Sequence, residues 1–436
     1  MPTTIVTATE NLNRLATFRQ AAYVALGRAR DALFELGDAV LLTVHANSFA
    51  EFSLSPAFRR QWPSVYEALQ DGRPDRRALL RLYLDQMAWG ERPILVGDHT
   101  AWPRLEAYTL RDRTIEHQPT SVPGAKPITV GQGYSTVAWV PESRGSWALP
   151  LLHERIASES SPIQMMVAQL RQVCTRLDDR GVVLLDAEYG CAPFVKASAD
   201  IPCDKLMRLR SNLCLRTAPP PYPGWGRPAK HGRKFNLRDA RTWGTPTDTL
   251  ALDDPDLGHI VVRGWANLHF RKAPDQLLWV MRIERPQSRG TRRDPRELWL
   301  AWCGEPLPPA SVSGRLYFRR PAIDHWYRFA KQGLFWPLPR FKTPEQAERW
   351  SDLMPLLTWQ LWLARPVVTD KPLPWQKPQT TLTPGRVRQS LGALFAQIGT
   401  PAHAPKPRGK SAGWPTGRPR AKATRFAIVK KRPKRR

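Results

Sequence analysis

Two short runs that are apolar on both faces constrain this fold more than any other feature: PILVG leading into Asp98, and GVVLL leading into Asp186. A strand with alternating polarity can leave one face in water, but a strand apolar throughout has to be covered on both. Between the two runs, SPIQMMVAQLRQVCTRLDDRG (161–181) repeats its apolar residues at helical spacing. STVAWV (135–140) and WALPLL (147–152) read as further strands. Strands alternating with a helix predict an α/β core with a central, helix-covered sheet.

The chain divides around this core. Residues 1–90 are rich in Ala, Leu, Arg and Gln at helical spacing and predict a helical domain, either an element for DNA binding or docking or plain structural helices. Residues 91–203 hold the first part of the core. Residues 204–296 open with RLRSNLCLRTAPPPYPGWGRPAKHGRKF, basic and rich in Pro and Gly, and continue as alternating strands. They predict an inserted antiparallel β domain with exposed basic loops. The core resumes over 297–366 with ELWLAWC, RLYFRR and the helical IDHWYRFAKQGLFW. After residue 367 Pro, Lys and Arg dominate, and 405–436 contains no acidic residue, so this tail is expected to be largely disordered.

The net charge of +28 calls for a polyanionic partner, and nucleic acid is the first candidate. No run of about 18 uncharged apolar residues occurs, so no membrane partner is expected. The five cysteines form no C-x-x-C and the nine histidines complete no zinc spacing. That scattered set fits a reducing cytoplasm, with the thiols as core fillers.

Three carboxylates stand where chemistry can use them. Asp98 and Asp186 are each placed at the end of an apolar strand, and Asp324 at the start of a helix. An RNase H-like core arranges its acids in this manner, on two neighbouring strands and a helix beside them. Hard carboxylate oxygens suit Mg²⁺, which keeps further sites for water and phosphate. Two such ions would clamp the attacking and leaving oxygens of an in-line displacement. An Asp at a strand end is also a common turn former or helix cap, so position alone decides little. Asp324, Arg328 and Lys331 share one helix face at i, i+4, i+7, which suits a phosphate-gripping helix or a solvated ion pair.

The spacing Y-x₂-R-x₃-acid-x₆-K, formed by Tyr317, Arg320, Asp324 and Lys331, resembles the signature of bacterial DDE transposases of the insertion-sequence-four superfamily. GDHT around Asp98 and VVLLDAEYG around Asp186 resemble the first and second acid strands of that family, and the resemblance covers roughly residues 90–365. It implies an RNase H-like mixed-sheet core with a β insertion before the third acid. It also implies two Mg²⁺ or Mn²⁺ ions held by Asp98, Asp186 and Asp324, and cut-and-paste transposition. The partners would be double-stranded DNA, as terminal inverted repeats and target, bound by a homodimer at the bacterial nucleoid. Tyr317, Arg320 and Lys331 would contact DNA near the cleaved phosphate.

Other residues are candidates around this frame. Arg227, Lys230, Arg233 and Lys234 would meet phosphates without reading sequence. Trp243 and Trp265 could stack an unpaired base, although most of the 18 tryptophans must pack a core. Glu188 could touch the metal shell or cap a helix, and His99 could meet a phosphate. The family usually carries Glu as its third acid, whereas this chain has Asp324, one methylene shorter. Glu284, Glu297 and Glu348 lack the flanking pattern. The alternative to an active transposase is therefore a catalytically inactive, transposase-derived DNA-binding protein.

Overall fold

The computed structural model describes residues 7–87, 92–118, 126–254, 258–291, 295–304, 310–407, 413, 415–419 and 421–431. The expected domain boundary at residue 90 and the final basic residues 432–436 lie outside these. The helices are α1 (Ala8–Ala25), α2 (Arg30–Leu42), α3 (Pro63–Asp71), α4 (Arg76–Leu84), α5 (Pro162–Cys174), α6 (Ala192–Ala197), α7 (Ala310–Tyr317), α8 (Ala322–Gln332), α9 (Pro344–Ala364), α10 (Pro384–Gln389) and α11 (Leu391–Ile398). The strands are β1 (Ile94–Pro103), β2 (Thr114–His117), β3 (Ile128–Trp139), β4 (Leu149–Ile156), β5 (Val182–Leu185), β6 (Asp204–Arg208), β7 (Cys214–Arg216), β8 (Lys234–Asn236), β9 (Asp248–Asp254), β10 (Gly258–Phe270), β11 (Ala273–Glu284) and β12 (Glu297–Cys303).

One mixed sheet runs β2-β3-β1-β5-β6-β12-β11-β10-β7-β8, with β4 also on β3 and β9 on β10. In its first half β1, β5 and β6 are parallel, and β3 runs antiparallel to β1. The order β4-β3-β1-β5-β6 is consistent with the RNase H-like core expected from the sequence. The second half is antiparallel throughout and joins the first through the β12–β6 pairing. The strands expected as an insertion thus extend the core sheet itself. Distant pairings of this kind leave no local mark on a sequence.

Alternation along β1 sorts its side chains to two helical layers. Gly97 faces α5, where an added Cβ would come 2.7 Å from Met166 Sδ and 2.7 Å from Leu185 Cδ2. The missing side chain lets α5 lie close to the sheet. Ser135 of β3 shares that face and donates to Gln169 of α5 at 2.7 Å. On the other face Trp102 packs against Trp336, and Lys331 of α8 donates to Thr100 at 2.7 Å. Asp98 lies on this second face.

The N-terminal helices share a core with α9, the long buried helix behind β4. Buried Arg19 of α1 joins them: it donates to Asp38 of α2 at 2.8 Å, Gln360 of α9 at 2.6 Å and the Gly399 carbonyl at 3.1 Å. The tail after residue 367 departs from its expected disorder. Leu382, Val387, Leu391, Leu394, Phe395 and Ala402 are buried against the helical layer. Burying an aliphatic or aromatic side chain contributes about 1.5–3 kcal/mol, enough to hold a segment whose overall composition is basic. Further on, Phe426 and Val429 donate backbone N–H groups to Tyr108 and Arg113 at 2.8 Å each, laying the chain beside β2. No helix among the described residues is long and apolar enough to cross a membrane.

Candidate active site

Strand register places the first two acids together. β1 and β5 pair in parallel up to Gly97 beside Leu185, so Asp98 and Asp186 follow on adjacent strands. The sequence suggested that β1 ends at Asp98. It continues to Pro103, because the longer β3 keeps pairing with it, Asp98 opposite Thr136 and Pro103 opposite Gly131. β5 does end at Leu185, and Asp186 turns the chain by accepting the Glu188 N–H at 2.9 Å. The acids therefore stand where the parallel pairing stops, Asp98 within β1 and Asp186 just past the carboxyl end of β5.

Asp324 arrives from α8. Pro321 precedes this helix and fixes φ for its start, and Asp324 lies in the first turn, where the helix dipole favours an anion. Ala322, Ile323, Trp326, Tyr327 and Ala330 bury its inner face. The Tyr327 hydroxyl ties that face to the site, 3.0 Å from the Asp98 carbonyl and 2.9 Å from Thr136 Oγ1.

Arg320 joins the acids electrostatically. Its guanidinium donates to Asp98 Oδ2 at 2.6 Å and to Asp324 Oδ2 at 2.9 Å. The side chains of Arg320 and Asp98 are 16% and 10% exposed, that of Asp324 48%, so Asp324 is the outer member. Burial pushes the Asp98 carboxyl up to about 6; Arg320 opposes that shift and the Asp186 charge adds to it. Burial works against the Arg320 charge, but Asp98 and Asp324 outweigh it and hold the guanidinium firmly protonated. Burial lowers the Lys331 ammonium from its usual range, with Asp98 opposing. Tyr317 is buried beside this group and its phenol is pushed up to about 12, chiefly by burial.

The remaining candidates are spread more widely. Arg328 is exposed on the outer side of α8. His99 Nδ1 lies 3.2 Å from the buried Tyr189 hydroxyl, and Glu188 pairs with Arg210 at 2.6 Å. Glu284 and Glu297 pair with Arg282, and Glu348 with Arg76 and Arg155, so none of the three joins the site. Arg227, Lys230, Arg233 and Lys234 are all exposed on the loop and strand between β7 and β9. Trp243 and Trp265 do not suit base stacking. Trp265 is 4% exposed and stacks on Trp299 at 5.6 Å, while Trp243 meets Trp299 edge-on at 5.0 Å and donates to the Asn236 carbonyl at 2.7 Å. Their rings form the core beneath the antiparallel half of the sheet. The exposed indole of this region is Trp225.

Sequence reasoning missed Tyr327, Thr136 and Tyr189. Tyr327 follows Asp324 by three positions, a spacing that puts both near one side of a helix, and this was the available signal. Thr136 and Tyr189 carry no such mark; only the fold brings them in.

Among the described residues no group of three or more His, Cys, Asp or Glu is gathered closely enough to hold a metal ion. The donors nevertheless fit a hard divalent cation in part. Asp98 and Asp186 offer carboxylate oxygens from adjacent strands, and the upward push of Asp186 on Asp98 is a repulsion that a cation between them would relieve. Asp324 lies across the Arg320 guanidinium from Asp98.

No curated protein matches the chain. The profile of the DDE superfamily endonucleases matches residues 23–259, which include Asp98 and Asp186 and stop short of Asp324. With that match spanning more than half of the sequence and the two acids following the last β1–β5 pair, the chain belongs to the DDE superfamily endonucleases.

Proposed function

We propose that this chain is a DNA transposase of the insertion-sequence-four type, which cleaves at transposon ends and transfers the freed strand into target DNA. The carrying observation is the parallel β1–β5 register that sets Asp98 beside Asp186 in a matched endonuclease domain. Asp98, Asp186 and Asp324 would hold two Mg²⁺ or Mn²⁺ ions, which when bound activate the attacking oxygen and stabilise the leaving one. Asp98 is fixed by Tyr327 on its backbone and Arg320 on its side chain. Lys331, anchored on Thr100, and exposed Arg328 present positive charge along α8 for the DNA backbone. Tyr317 supports Arg320 from the preceding turn, accepting the Arg320 N–H on its carbonyl at 3.0 Å. Arg227, Lys230, Arg233 and Lys234 would steer and position the duplex through its phosphates. A homodimer would bring two transposon ends together.

The test is excision in vitro from a plasmid whose marker is bracketed by the inverted repeats flanking the gene, against a plasmid with scrambled ends. Excision from the first alone is expected. Equal cutting of both would reduce the chain to an endonuclease without end specificity.

A second reading is supported by Asp324, which is shorter than the usual Glu and is paired to Arg320. On that reading the chain is a transposase-derived DNA-binding protein without catalysis. It predicts salt-sensitive binding with no nicking in Mg²⁺ or Mn²⁺.

A further inference from the structure

A chain of buried polar groups runs from β4 to the first acid. His153 Nδ1 lies 2.8 Å from Thr136 Oγ1, Thr136 Oγ1 lies 2.9 Å from the Tyr327 hydroxyl, and that hydroxyl lies 3.0 Å from the Asp98 carbonyl. The far end fixes where each proton sits. A carbonyl only accepts, so the single hydroxyl proton of Tyr327 belongs to Asp98. Thr136 then gives its own proton to the Tyr327 oxygen, and His153 supplies one to Thr136 from Nδ1. The reverse order fails on two counts. It leaves the Asp98 carbonyl without the Tyr327 bond. It also puts the imidazole proton on Nε2, which is buried and has no partner among the described residues. Buried N–H groups are seldom left unmatched, because the desolvation cost then stands in full.

We infer that His153, protonated on Nδ1 and bare on Nε2, is a positioning residue for Asp98, acting through Thr136 and Tyr327. The relay crosses β4, β3, α8 and β1 in turn. Its donor end has little freedom. The imidazole stacks on Tyr134 at 5.1 Å and meets Trp326 and Trp336 edge-on at 5.1 and 4.8 Å. In a buried setting each bond polarises the next, so the links reinforce one another. Tyr327 follows Asp324 by three positions on α8, so the relay fixes the strand that carries Asp98 against the helix that carries Asp324. It grips Asp98 by the backbone and leaves the carboxylate untouched. Breaking it therefore moves the acid without removing its charge. The inference rests on the proposed function, since it takes Asp98 and Asp324 to act together on DNA.

The test reads the tautomer and then its consequence. Nitrogen NMR of the full chain carrying isotope-labelled histidine gives the tautomer, with the His153 signals identified by their loss in His153→Gln. A proton on Nδ1 and none on Nε2 is expected at neutral pH, and a proton on Nε2 would overturn the relay. Nicking of supercoiled plasmid in Mg²⁺ gives the consequence. Thr136→Val keeps the outline of the side chain and breaks the middle link. It should lower kcat about tenfold and leave KM for the plasmid within about twofold, because a displaced group is felt in the reaction rather than in binding. Thr136→Ser restores the hydroxyl and should recover most of the rate, which a packing role alone would not require. Tyr327→Phe breaks the last link, should match Thr136→Val, and covers the case in which that variant does not fold. Wild-type rates in both broken variants, or no recovery in Thr136→Ser, would overturn this inference alone. A wild-type chain that nicks no plasmid would overturn the proposed function and the positioning role with it.

Discussion

Asp98 stands within β1 and Asp186 just past β5, Asp324 on a helix, and the two settings give their carboxylates different freedom. The first two acids are placed by register: β3 on one side and β5 on the other hold β1, and a one-residue slip would carry Gly97 away from Met166 and Leu185, where a Cβ does not fit. The helix acid lies in the first turn of α8, half exposed, and shares Arg320 with the largely buried Asp98. Asp98 is largely buried and has little room to move, whereas the half-exposed Asp324 can change its side-chain rotamer.

The two settings should differ most in catalysis. Asp98→Asn should lower DNA nicking by roughly 10³-fold or more, the loss of several kcal/mol of charge stabilisation. Asp324→Ala should cost less, about 10²-fold, and Asp324→Glu should retain activity because the longer arm reaches more easily. Initial nicking rates of supercoiled plasmid compare the three. Equal loss in Asp98→Asn and Asp324→Ala would remove the distinction between the two settings.

A smaller effect tests the tie between the settings. Tyr327→Phe removes the hydroxyl that links α8 to the Asp98 carbonyl and Thr136. It should lower unfolding free energy by about 1–2 kcal/mol, read from denaturant midpoints, since it leaves buried polar partners unmatched. No change in midpoint would mean that α8 is held by its apolar face alone.

The layer beneath the site has its own signature in pH. His153 is buried, 2.8 Å from Thr136 Oγ1, and its pKa is pushed down to about 3 by burial, with the Lys331 charge acting in the same direction. The unfolded chain takes up this proton near the ordinary value of 6.5, while the folded chain resists until about 3. Between those values the unfolded state binds more protons, so this contribution is fully present above 6.5 and lost as pH falls through the window. Denaturant midpoints of wild type should decline more steeply from about pH 7 to about pH 5 than those of His153→Gln. Parallel declines would show that other groups set the acid limb.

The antiparallel half of the sheet should respond most weakly in rate and most clearly in salt dependence. Replacing Arg227, Lys230, Arg233 and Lys234 by Ala should reduce the slope of log affinity against log salt by roughly one for each phosphate that is no longer neutralised. An unchanged slope would place the DNA elsewhere.

Much of this was legible in the sequence, and the limits have physical causes. The apolar runs before Asp98 and Asp186 marked the α/β core because burial on both faces leaves no polar residue to hide. The direction of Arg320 was not legible: the spacing of Asp324, Arg328 and Lys331 suggested one basic face, but Asp324 pairs backward with Arg320 and Lys331 turns to Thr100. The packed tail was concealed by its prolines and lysines, although Val387, Leu391, Leu394 and Phe395 already carried helical spacing. Trp243 and Trp265 looked like candidates for a DNA base until strand pairing closed them around Trp299. Pairing between distant strands decided the extended sheet and the tryptophan core, and nothing local in the chain records it.

The proposed metal-dependent cutting of DNA through Asp98 and Asp186 is the claim on which the other proposed roles depend. Nicking of supercoiled plasmid in Mn²⁺, by the wild-type chain and by Asp186→Asn at equal concentration, decides it. The wild type should nick, chelator should stop it, and the variant should stay at background. Equal nicking by the two proteins would rule out the paired aspartates as the metal-holding centre.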